Sequence, residues 1–588
     1  MVCLVRHQRG ITSALANRAK DLQQLRVIVL FVIVSMSMMM SRQPLLLHVK
    51  GFPITSKTFR RIFNTRQVHD SDSSKLVGGC LRATSTINSL HDGKASLYDV
   101  SKAFKGCLPC VVVGRDRQSR SFRDGSPLVF SGAVAYTVGS MKYDSGIPQG
   151  ALVAVAVAPK GSSKTKAPKG KRSNKGFAVE YFSTSALDLD KRNVIGSQMI
   201  GFGTYNPESM YRVRILLHET SDPTMFKSVQ QIFSSEDPDC EATAMKAILK
   251  SNIRDAIQTR LALGLPRDDT NTFRLINGEG DSLSGLAVDI LGSKLAVVMS
   301  SAAWCEYNKD LILQVLSDEL TVMFRDNIEL VWRTTSSRLV QDGYDKHATS
   351  FDDAVHDDKR FITATESNVK YKVYPWSGQK TGFYCDQRDN RQTIARLCRG
   401  KRVLDLCCYN GGFVLNAAKG GALSCVGVDS SQDAVDAAIE NAAMNGFTGD
   451  HISFVRNDIT DFMKTAYADG ERFDVIILDP PKLAPNRSGL NQASRKYHAL
   501  NRDAMKLIDE EKGGLLMTCT CSGAMTQKDG GLFFLQTVKS ASLASKRQIS
   551  LLSKAGAASC HTQNPAASPA GMYLTAALFH VSPLYKKG

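Results

Sequence analysis

The stretch RVLDLCCYNGGFVLNAAKGGALSCVGVD, residues 402–429, contains the pattern that decides the fold. A short apolar run ends in a glycine-containing turn, an amphipathic segment follows, and a second apolar run ends in an acid. The alternation continues through ISFVRND (452–458), FDVIILDPP (473–481) and GGLLMTCTCSG (513–523). Such alternation is typical of a parallel sheet covered by helices on both faces. We therefore predict a doubly wound, Rossmann-like α/β domain over 366–588, with ligands at the carboxyl ends of its strands.

Acids at the ends of three predicted strands indicate a nucleoside cofactor. Asp405 precedes the turn Tyr409–Phe413, Asp429 is placed to accept hydrogen bonds from ribose hydroxyls, and Asn457-Asp458 could bind an adenine amino edge. The turn has only Gly411 and Gly412 and lacks the dinucleotide pattern GxGxxG, which favours S-adenosylmethionine over NAD. Each acid taken alone is more often a helix cap or loop residue.

The fourth and fifth strands carry the residues with the most reactive chemistry. FDVIILDPPK places Asp479 before two prolines, and GLLMTCTCSG (514–523) contains Cys519 and Cys521. Methyl transfer to carbon 5 of a pyrimidine needs a thiolate that adds to carbon 6, and an acid that interacts with the ring nitrogen. Cys521 stands at the strand end beside Asp479, whereas Cys519 lies deeper and is expected in the core. A metal site would need further ligands, and the sequence offers no clear partners.

The rest of the chain divides by composition. Residues 1–70, basic at the start with an apolar run at Val27–Val34, predict a targeting extension, and 71–104 a linker. Short β-rich segments over 105–222 are interrupted by a basic insertion at 159–176, which is either a solvated loop or a phosphate-contacting arm. Residues 223–365 predict a small middle α/β domain.

The charge and the cysteines narrow the class of protein. The formal net charge is +18, but residues 1–69 hold 11 Lys/Arg against one acid, and 159–176 add seven without any acid. The remainder is nearly neutral, so any nucleic-acid surface there must be a local patch. The 14 cysteines are scattered, which suggests a reducing compartment; Cys107 and Cys110 form a lone CxxC that we expect to be ordinary strand cysteines.

The chain resembles the RlmI-type bacterial 23S rRNA (cytosine-5-)-methyltransferases, which have a PUA domain, a middle domain and a class I methyltransferase domain. The resemblance covers 105–588. It is carried by PLVFSGAV (127–134), GFGTYNPESMYRVRIL (201–216), RLINGEGDSLSGLAVD (274–289) and GQKTGFYCDQRDNR (378–391), and continues through YNGGF, FDVIILDPPK and CSG. It departs from the family at Leu128, Ala570 and Thr575, where Trp, Glu and Lys are usual.

The resemblance implies a PUA-like RNA-binding domain at 105–222, with Cys521 as nucleophile and Asp479 as the acid at the base. The expected cofactor is S-adenosylmethionine, and no metal is expected. The expected cofactor-binding residues are Thr381, Gly382, Phe383, Asp405, Tyr409, Asn410, Gly411, Gly412, Phe413, Asp429, Ser430, Asn457, Asp458 and Asp479.

The expected activity is formation of 5-methylcytosine in large-subunit rRNA or a ribosome-assembly intermediate. The alternatives are methylation of another RNA base, guanine or an exocyclic amine, and a non-catalytic RNA-binding assembly factor. We expect a plastid or mitochondrial location, with the cytoplasm as the alternative, and no stable membrane association of the mature form. A homodimer is left open.

Overall fold

The computed structural model describes residues 108–114, 125–140, 142–143, 146–158, 180–182, 198–233, 237–344, 360–567 and 571–584. The predicted targeting extension (1–70), the linker (71–104), the basic insertion (159–176), Cys107 and Ala570 lie outside the described residues. No helix in the described ranges is both long enough and apolar enough to cross a lipid bilayer.

The β-rich segment forms a seven-stranded sheet whose strands alternate between two cores. Val111 and Val113 pack on one face, and Cys110 and Val112 pack on the other, as the two-residue period of a strand requires. The strand order is β2-β7-β6-β4-β1-β3-β5. The strands are β1 Cys110–Val113, β2 Leu128–Phe130, β3 Val134–Val138, β4 Leu152–Val157, β5 Glu180–Phe182, β6 Gln198–Tyr205 and β7 Tyr211–His218.

A four-stranded sheet of order β11-β10-β9-β8 follows, packed against two long helices. Its elements are α1 Pro223–Phe233, α2 Cys240–Ala262, β8 Phe273–Asn277, β9 Leu286–Leu291, β10 Leu295–Ser300, α3 Ala303–Tyr307, α4 Lys309–Phe324, β11 Glu329–Thr334 and α5 Ser336–Gln341. A hairpin, β12 Ile362–Glu366 with β13 Val369–Val373, leads into the last sheet.

The last sheet has seven strands in the order β16-β15-β14-β17-β18-β20-β19. Its elements are α6 Arg388–Leu397, β14 Arg402–Leu406, α7 Gly412–Lys419, β15 Ser424–Asp429, α8 Gln432–Met444, β16 Ile452–Arg456, α9 Ile459–Ala468, β17 Val475–Leu478, α10 Leu490–Lys506, β18 Gly514–Thr520, α11 Gly523–Gln527, α12 Leu532–Ala544, β19 Ile549–Ala555 and β20 Thr575–Val581.

The predicted doubly wound α/β fold is confirmed. β14, β15, β16, β17 and β18 are mutually parallel, and the strand order reverses between β14 and β17, where this fold binds ligands. The structure adds two strands, β19 and β20, to the predicted five. β20 runs antiparallel to both β18 and β19. The side chains of β19 from Ser550 to Ala555 are exposed, so no apolar periodicity marked it in the sequence.

A fully buried arginine joins the middle sheet to the segment that precedes β20. Arg260 of α2 donates from both terminal nitrogens to Asp281, at 2.5 and 2.9 Å, and from one of them to the carbonyl of Cys560 at 2.7 Å. Its Nε donates to the carbonyl of Arg274 at 2.9 Å. A guanidinium out of water needs such complete pairing, because burying an unpaired charge is costly.

We predict that Arg260→Met lowers the free energy of unfolding by about 3–5 kcal/mol, because Asp281 is left buried without its partner. Chemical denaturation followed by fluorescence measures the change. Removing Asp281 as well, in Arg260→Met/Asp281→Leu, should recover part of the loss. The exposed Lys464–Asp461 pair gives the matched control: Lys464→Ala should leave the midpoint unchanged. Equal midpoints for Arg260→Met and Lys464→Ala would contradict the prediction.

Candidate active site

The turn between β14 and α7 is held in an unusual backbone conformation. Cys407, Tyr409 and Gly411 have φ of 68°, 49° and 82°. A Cβ at Gly411 would lie 3.2 Å from the Cβ of Ala438, so glycine is needed for space as well as for φ. The side chains of Cys407 and Tyr409 are half-buried, while the rest of the turn is buried. The turn is therefore rigid and presents mainly Tyr409 and its own backbone.

Asp429, at the end of β15, fixes this turn. Its Oδ2 accepts the backbone N–H of Tyr409 at 2.9 Å, and its Oδ1 accepts that of Ser431 at 3.0 Å. Ser430 is exposed beside it. The carboxylate is thus ordered before any ligand binds, and each oxygen retains capacity to accept a second hydrogen bond.

Asp405 lies inside β14 and is completely buried. Neither oxygen makes a hydrogen bond of normal geometry with the described residues. Burial, together with the neighbouring carboxylates of Asp479 and Asp429, raises the pKa of Asp405 well above its usual range, and the N–H of Val414 offsets this only in part. An orphaned carboxyl behind the turn is a group that a bound ligand could satisfy.

Asp458 caps the helix α9. A helix cap was the alternative role that the sequence allowed for this residue. Its Oδ1 accepts the N–H of Thr460 at 2.7 Å and that of Asp461 at 3.4 Å at the start of α9. The hydrogen bond from Thr460 is the main reason that the pKa of Asp458 is lowered. Asn457 is half-buried, and its N–H donates to the carbonyl of Asp429. Capping occupies one oxygen of Asp458 and leaves Oδ2 for a ligand.

Other predicted cofactor residues are packed into the protein. Asn410 is 6% exposed and its carbonyl accepts from Asn441, Phe413 lies in a core cluster, and Gly412 begins α7 against Arg391. The structure keeps these residues beside the site but covers their side chains. Their contact with a cofactor stays a prediction.

The segment 381–383 is also turned inward. Thr381 donates its hydroxyl to Asp289 of β9 at 2.6 Å, and Phe383 packs on Tyr371 with ring centroids 4.9 Å apart. Gly382 has φ of 99°, and a Cβ there would lie 2.7 Å from the carbonyl oxygen of Tyr374. The structure does not bring the side chains of Thr381 and Phe383 to the strand ends. Direct cofactor contact by this segment would have to use its backbone.

The two cysteines of β18 have different surroundings. Cys519 is fully buried in the cluster with Ile477 and Met517, whereas Cys521 lies just beyond the strand and is half-buried. Burial first, and then the charge of Asp479, raises the pKa of the Cys521 thiol, and Lys380 opposes this rise. Burial raises the pKa of Cys519 well above its usual range. Cys521 alone of the pair is open to a ligand.

Strand register places Asp479 on the face of the sheet that Cys521 shares. Leu478 pairs with Thr518, so Asp479 follows level with Cys519, and Cys521 is one side-chain repeat further on. Burial and the neighbouring Asp386 raise the pKa of Asp479 to about 6. A carboxyl of this pKa holds or releases a proton near neutral pH, as general acid–base chemistry requires.

Several residues of the site were missed by sequence reasoning. Gln387 donates to Asp479 at 2.8 Å, and Lys380 pairs with Asp386 at 2.8 Å. The hydroxyl of Tyr573 also donates to Asp386 at 2.8 Å. Although Asp386 is buried, the charge of Lys380 and the hydrogen bonds from Lys380 and Tyr573 hold its pKa well below the usual range. The segment 378–391 was noticed as a motif, but only its Thr381–Phe383 part was assigned.

The described residues contain no cluster of three His, Cys, Asp or Glu side chains arranged to hold a metal ion. Cys110 of the CxxC is a buried strand residue, and burial raises the pKa of its thiol to about 12.

S-adenosylmethionine fits the strand-end edge, because an ordered carboxylate, a rigid turn and an orphaned carboxyl converge there. Asp429 and Tyr409 are the residues that would hold it, and contact with Asp405, which is buried behind the turn, stays a prediction.

Comparison with known proteins agrees with this geometry. Residues 397–558 match the family model of a methyltransferase domain. The chain is similar to ribosomal RNA large subunit methyltransferase I of Photobacterium profundum, with 33% identity over 63% of this chain and 85% of that protein. The Escherichia coli protein of the same name has 32% identity over the same shares, and that of Aeromonas hydrophila has 36% over 53% and 75%.

Solved structures share the fold at lower identity. A protein from Streptococcus mutans, assigned as a SAM-dependent methyltransferase, has a TM-score of 0.54 and 16% identity over 80% of this chain and 99% of that one. The structure of SMU.776 complexed with SAH has a TM-score of 0.56 and 16% identity over the same shares. These structures show the fold alone, whereas the 33% identity over 85% of the Photobacterium profundum protein shows that the chain belongs to the family of ribosomal RNA large subunit methyltransferase I.

Proposed function

We propose that the protein uses S-adenosylmethionine to form 5-methylcytosine in large-subunit rRNA, through a covalent bond from Cys521 to carbon 6 of the base. The observation that carries the proposal is the pairing of a half-buried thiol with a carboxyl of pKa about 6 on one face of two neighbouring parallel strands. The rRNA substrate is suggested by the names of the curated relatives.

Cys521 begins the reaction. In the free enzyme its raised pKa keeps the thiol protonated beside ionised Asp479, so the pair holds one proton at neutral pH. The thiol passes that proton to the Asp479 carboxylate, and Asp479 donates it to ring nitrogen 3 as the thiolate adds to carbon 6. Bond formation at carbon 6 makes carbon 5 enamine-like and therefore nucleophilic.

S-adenosylmethionine, when bound, would supply the methyl group to carbon 5 and would be left as S-adenosylhomocysteine. The proton on carbon 5 is then lost to solvent water, the bond between carbon 6 and Cys521 breaks, and nitrogen 3 returns its proton to Asp479. The half-buried setting of both side chains limits the water that would compete for these hydrogen bonds.

Replacing Cys521 tests the nucleophile. We predict that Cys521→Ala lowers methyl transfer by at least about 10³-fold while the Kd for S-adenosylmethionine is unchanged, because only the covalent step is removed. The assay uses labelled cofactor and rRNA from cells that lack the enzyme, with mass spectrometry of the modified nucleotide. Cys519→Ala is the matched control and should stay within a few-fold of wild type. Full methylation by Cys521→Ala would reject the covalent mechanism.

RNA containing 5-fluorocytosine distinguishes the alternatives. The proposed mechanism predicts a covalent protein–RNA adduct that is stable in denaturing gels and absent with Cys521→Ala, since fluorine cannot leave carbon 5 as a proton does. A guanine or exocyclic-amine methyltransferase would transfer methyl without forming the adduct. A non-catalytic assembly factor would bind the RNA and give neither product.

The pKa of Asp479 predicts the acid limb of the rate profile. Below about pH 6 Asp479 and Cys521 are both protonated, whereas the reactive pair holds a single proton. We therefore expect kcat/KM to fall about tenfold per pH unit below pH 6 and to be flat above it until the thiol titrates. Rates between pH 5 and 8 measure this. Asp479→Asn should be slower and should lack the inflection; an unchanged inflection would assign it to another group.

We also propose that residues 1–70 direct the protein to a plastid or mitochondrion. Their Lys/Arg excess and apolar run support this. A fluorescent protein fused behind residues 1–70 should enter the organelle, whereas the same reporter without them should stay in the cytoplasm. Cytoplasmic fluorescence from both fusions would contradict the proposal.

A further inference from the structure

Two side-chain amides, those of Asn390 and Gln387, connect the backbone carbonyl of Gly556 to Asp479. The side-chain nitrogen of Asn390 lies 3.2 Å from the carbonyl oxygen of Gly556 and 2.6 Å from Oε1 of Gln387. The side-chain nitrogen of Gln387 in turn lies 2.8 Å from Oδ2 of Asp479. Gln387 and Asn390 are 4% and 2% exposed, so water does not replace these contacts.

The direction of every hydrogen bond in this series follows from its first member. A backbone carbonyl can only accept, so the group of Asn390 that faces Gly556 must be the NH₂. The same NH₂ donates to Gln387, which must therefore present its oxygen to Asn390 and its nitrogen to Asp479. Neither amide can be reversed without losing several buried hydrogen bonds.

The two oxygens of Asp479 are thereby made unequal. Oδ2 faces a donor and must accept, so it cannot carry a proton that points toward Gln387. Oδ1 has no hydrogen bond with the described residues and, unlike the oxygens of Asp405, is not sealed from solvent. When Asp479 is neutral, its proton therefore resides on Oδ1, the oxygen that is free to meet a ligand.

We propose that Gln387, fixed by Asn390 on the carbonyl of Gly556, is a positioning residue that makes Oδ1 of Asp479 the sole proton-carrying oxygen at the base. The proposal rests on the proposed role of Asp479 as the acid at nitrogen 3 of cytosine. Gln387 itself touches no reacting atom. It prevents the carboxyl from rotating and from holding its proton on the oxygen that faces the protein interior.

The structure explains why such a device is needed here. Burial and the charge of Asp386 favour a neutral Asp479, and a neutral carboxyl is free to protonate either oxygen. The titratable and charged groups that face Asp479 are Lys380, Tyr384, Asp386, Arg391, Asp405, Cys407, Tyr497, Cys519 and Cys521. Among the described residues, the side chain that donates a hydrogen bond to Asp479 is none of these but Gln387, which is uncharged and donates in one direction only.

The test compares Gln387→Leu with Gln387→Glu. Leucine removes the donor, and glutamate keeps the shape but cannot donate when ionised. Both should lower kcat by about 10²-fold, as expected when a catalytic group is misplaced. Because the donor stabilises ionised Asp479, its loss in Gln387→Leu should also move the inflection near pH 6 upward by about one to two units. Asn390→Leu, which frees Gln387 to reverse, should shift it less in the same direction.

Gln392→Leu is the matched control. Gln392 lies on α6, five residues after Gln387, and donates to Asn416 at 2.7 Å, so its loss should leave the inflection in place. The Tm and the Kd for S-adenosylmethionine are measured for every variant, because a merely structural role would change these without moving the inflection. An inflection in Gln387→Leu at the wild-type pH would overturn the proposal.

A measurement without RNA separates this proposal from the proposed function. The rate at which iodoacetamide alkylates Cys521, followed by peptide mass spectrometry, should show an inflection at the pKa of Asp479, because the carboxylate charge opposes thiolate formation. Gln387→Leu should move that inflection upward whichever base the enzyme methylates. If wild type makes another nucleotide but the inflection moves, the proposed function fails and the role of Gln387 stands; an unmoved inflection overturns the role of Gln387 alone.

Discussion

Three buried arginines, each paired with one carboxylate, hold together the parts of the chain on which the site depends. Arg260 pairs with Asp281, Arg274 with Asp289, and Arg391 with Glu366, and no member of these pairs is more than 15% exposed. A buried guanidinium cannot lose its proton, so its position is fixed by the only geometry that satisfies its five N–H groups. Through Thr381 and the Cys560 carbonyl, these pairs secure the segments before α6 and before β20 against the middle sheet.

The chemistry of the site depends on this framework and on the register of two strands. The segment before α6 brings Lys380, Asp386 and Gln387 over the carboxyl ends of β17 and β18. Strand register then determines which of the two thiols is buried and which is open to a ligand, although they are only two positions apart. Cys519 is opposite Ala576 within the sheet, and Cys521 passes beyond the last paired residue. Cys521 and Asp479 therefore lie at the same edge of the sheet because of the parallel pairing of β17 and β18, the length of β18 and the buried charge pairs.

The local pattern of the sequence was sufficient for the five parallel strands and for the strand-end positions of Asp429, Asp479 and Cys521. It was insufficient for β19, whose side chains face solvent, and for Asp458, where a cap and a ligand contact have the same local signature. The local pattern did not predict the role of Gln387 for another reason. Its partner is 92 residues away, and a hydrogen bond between distant residues leaves no periodicity or spacing in either segment. Thr381 and Phe383 were expected at the cofactor from the family resemblance, and the inward contacts of Thr381 with Asp289 and of Phe383 with Tyr371 had no signature in the sequence.

The raised pKa of Cys521 has a consequence for the durability of the enzyme. Peroxide and other oxidants attack thiolates, so a thiol held protonated by burial and by Asp479 oxidises slowly. Cys519, on the same strand face, is sealed inside the sheet and poorly placed to resolve a sulfenic acid as a disulfide. Cys519, the cysteine nearest to it in the sequence, thus offers an oxidised Cys521 no route back to the thiol. The charge arrangement that makes the resting nucleophile weak also protects it, and reactivity arises only when a bound base changes the environment of Asp479.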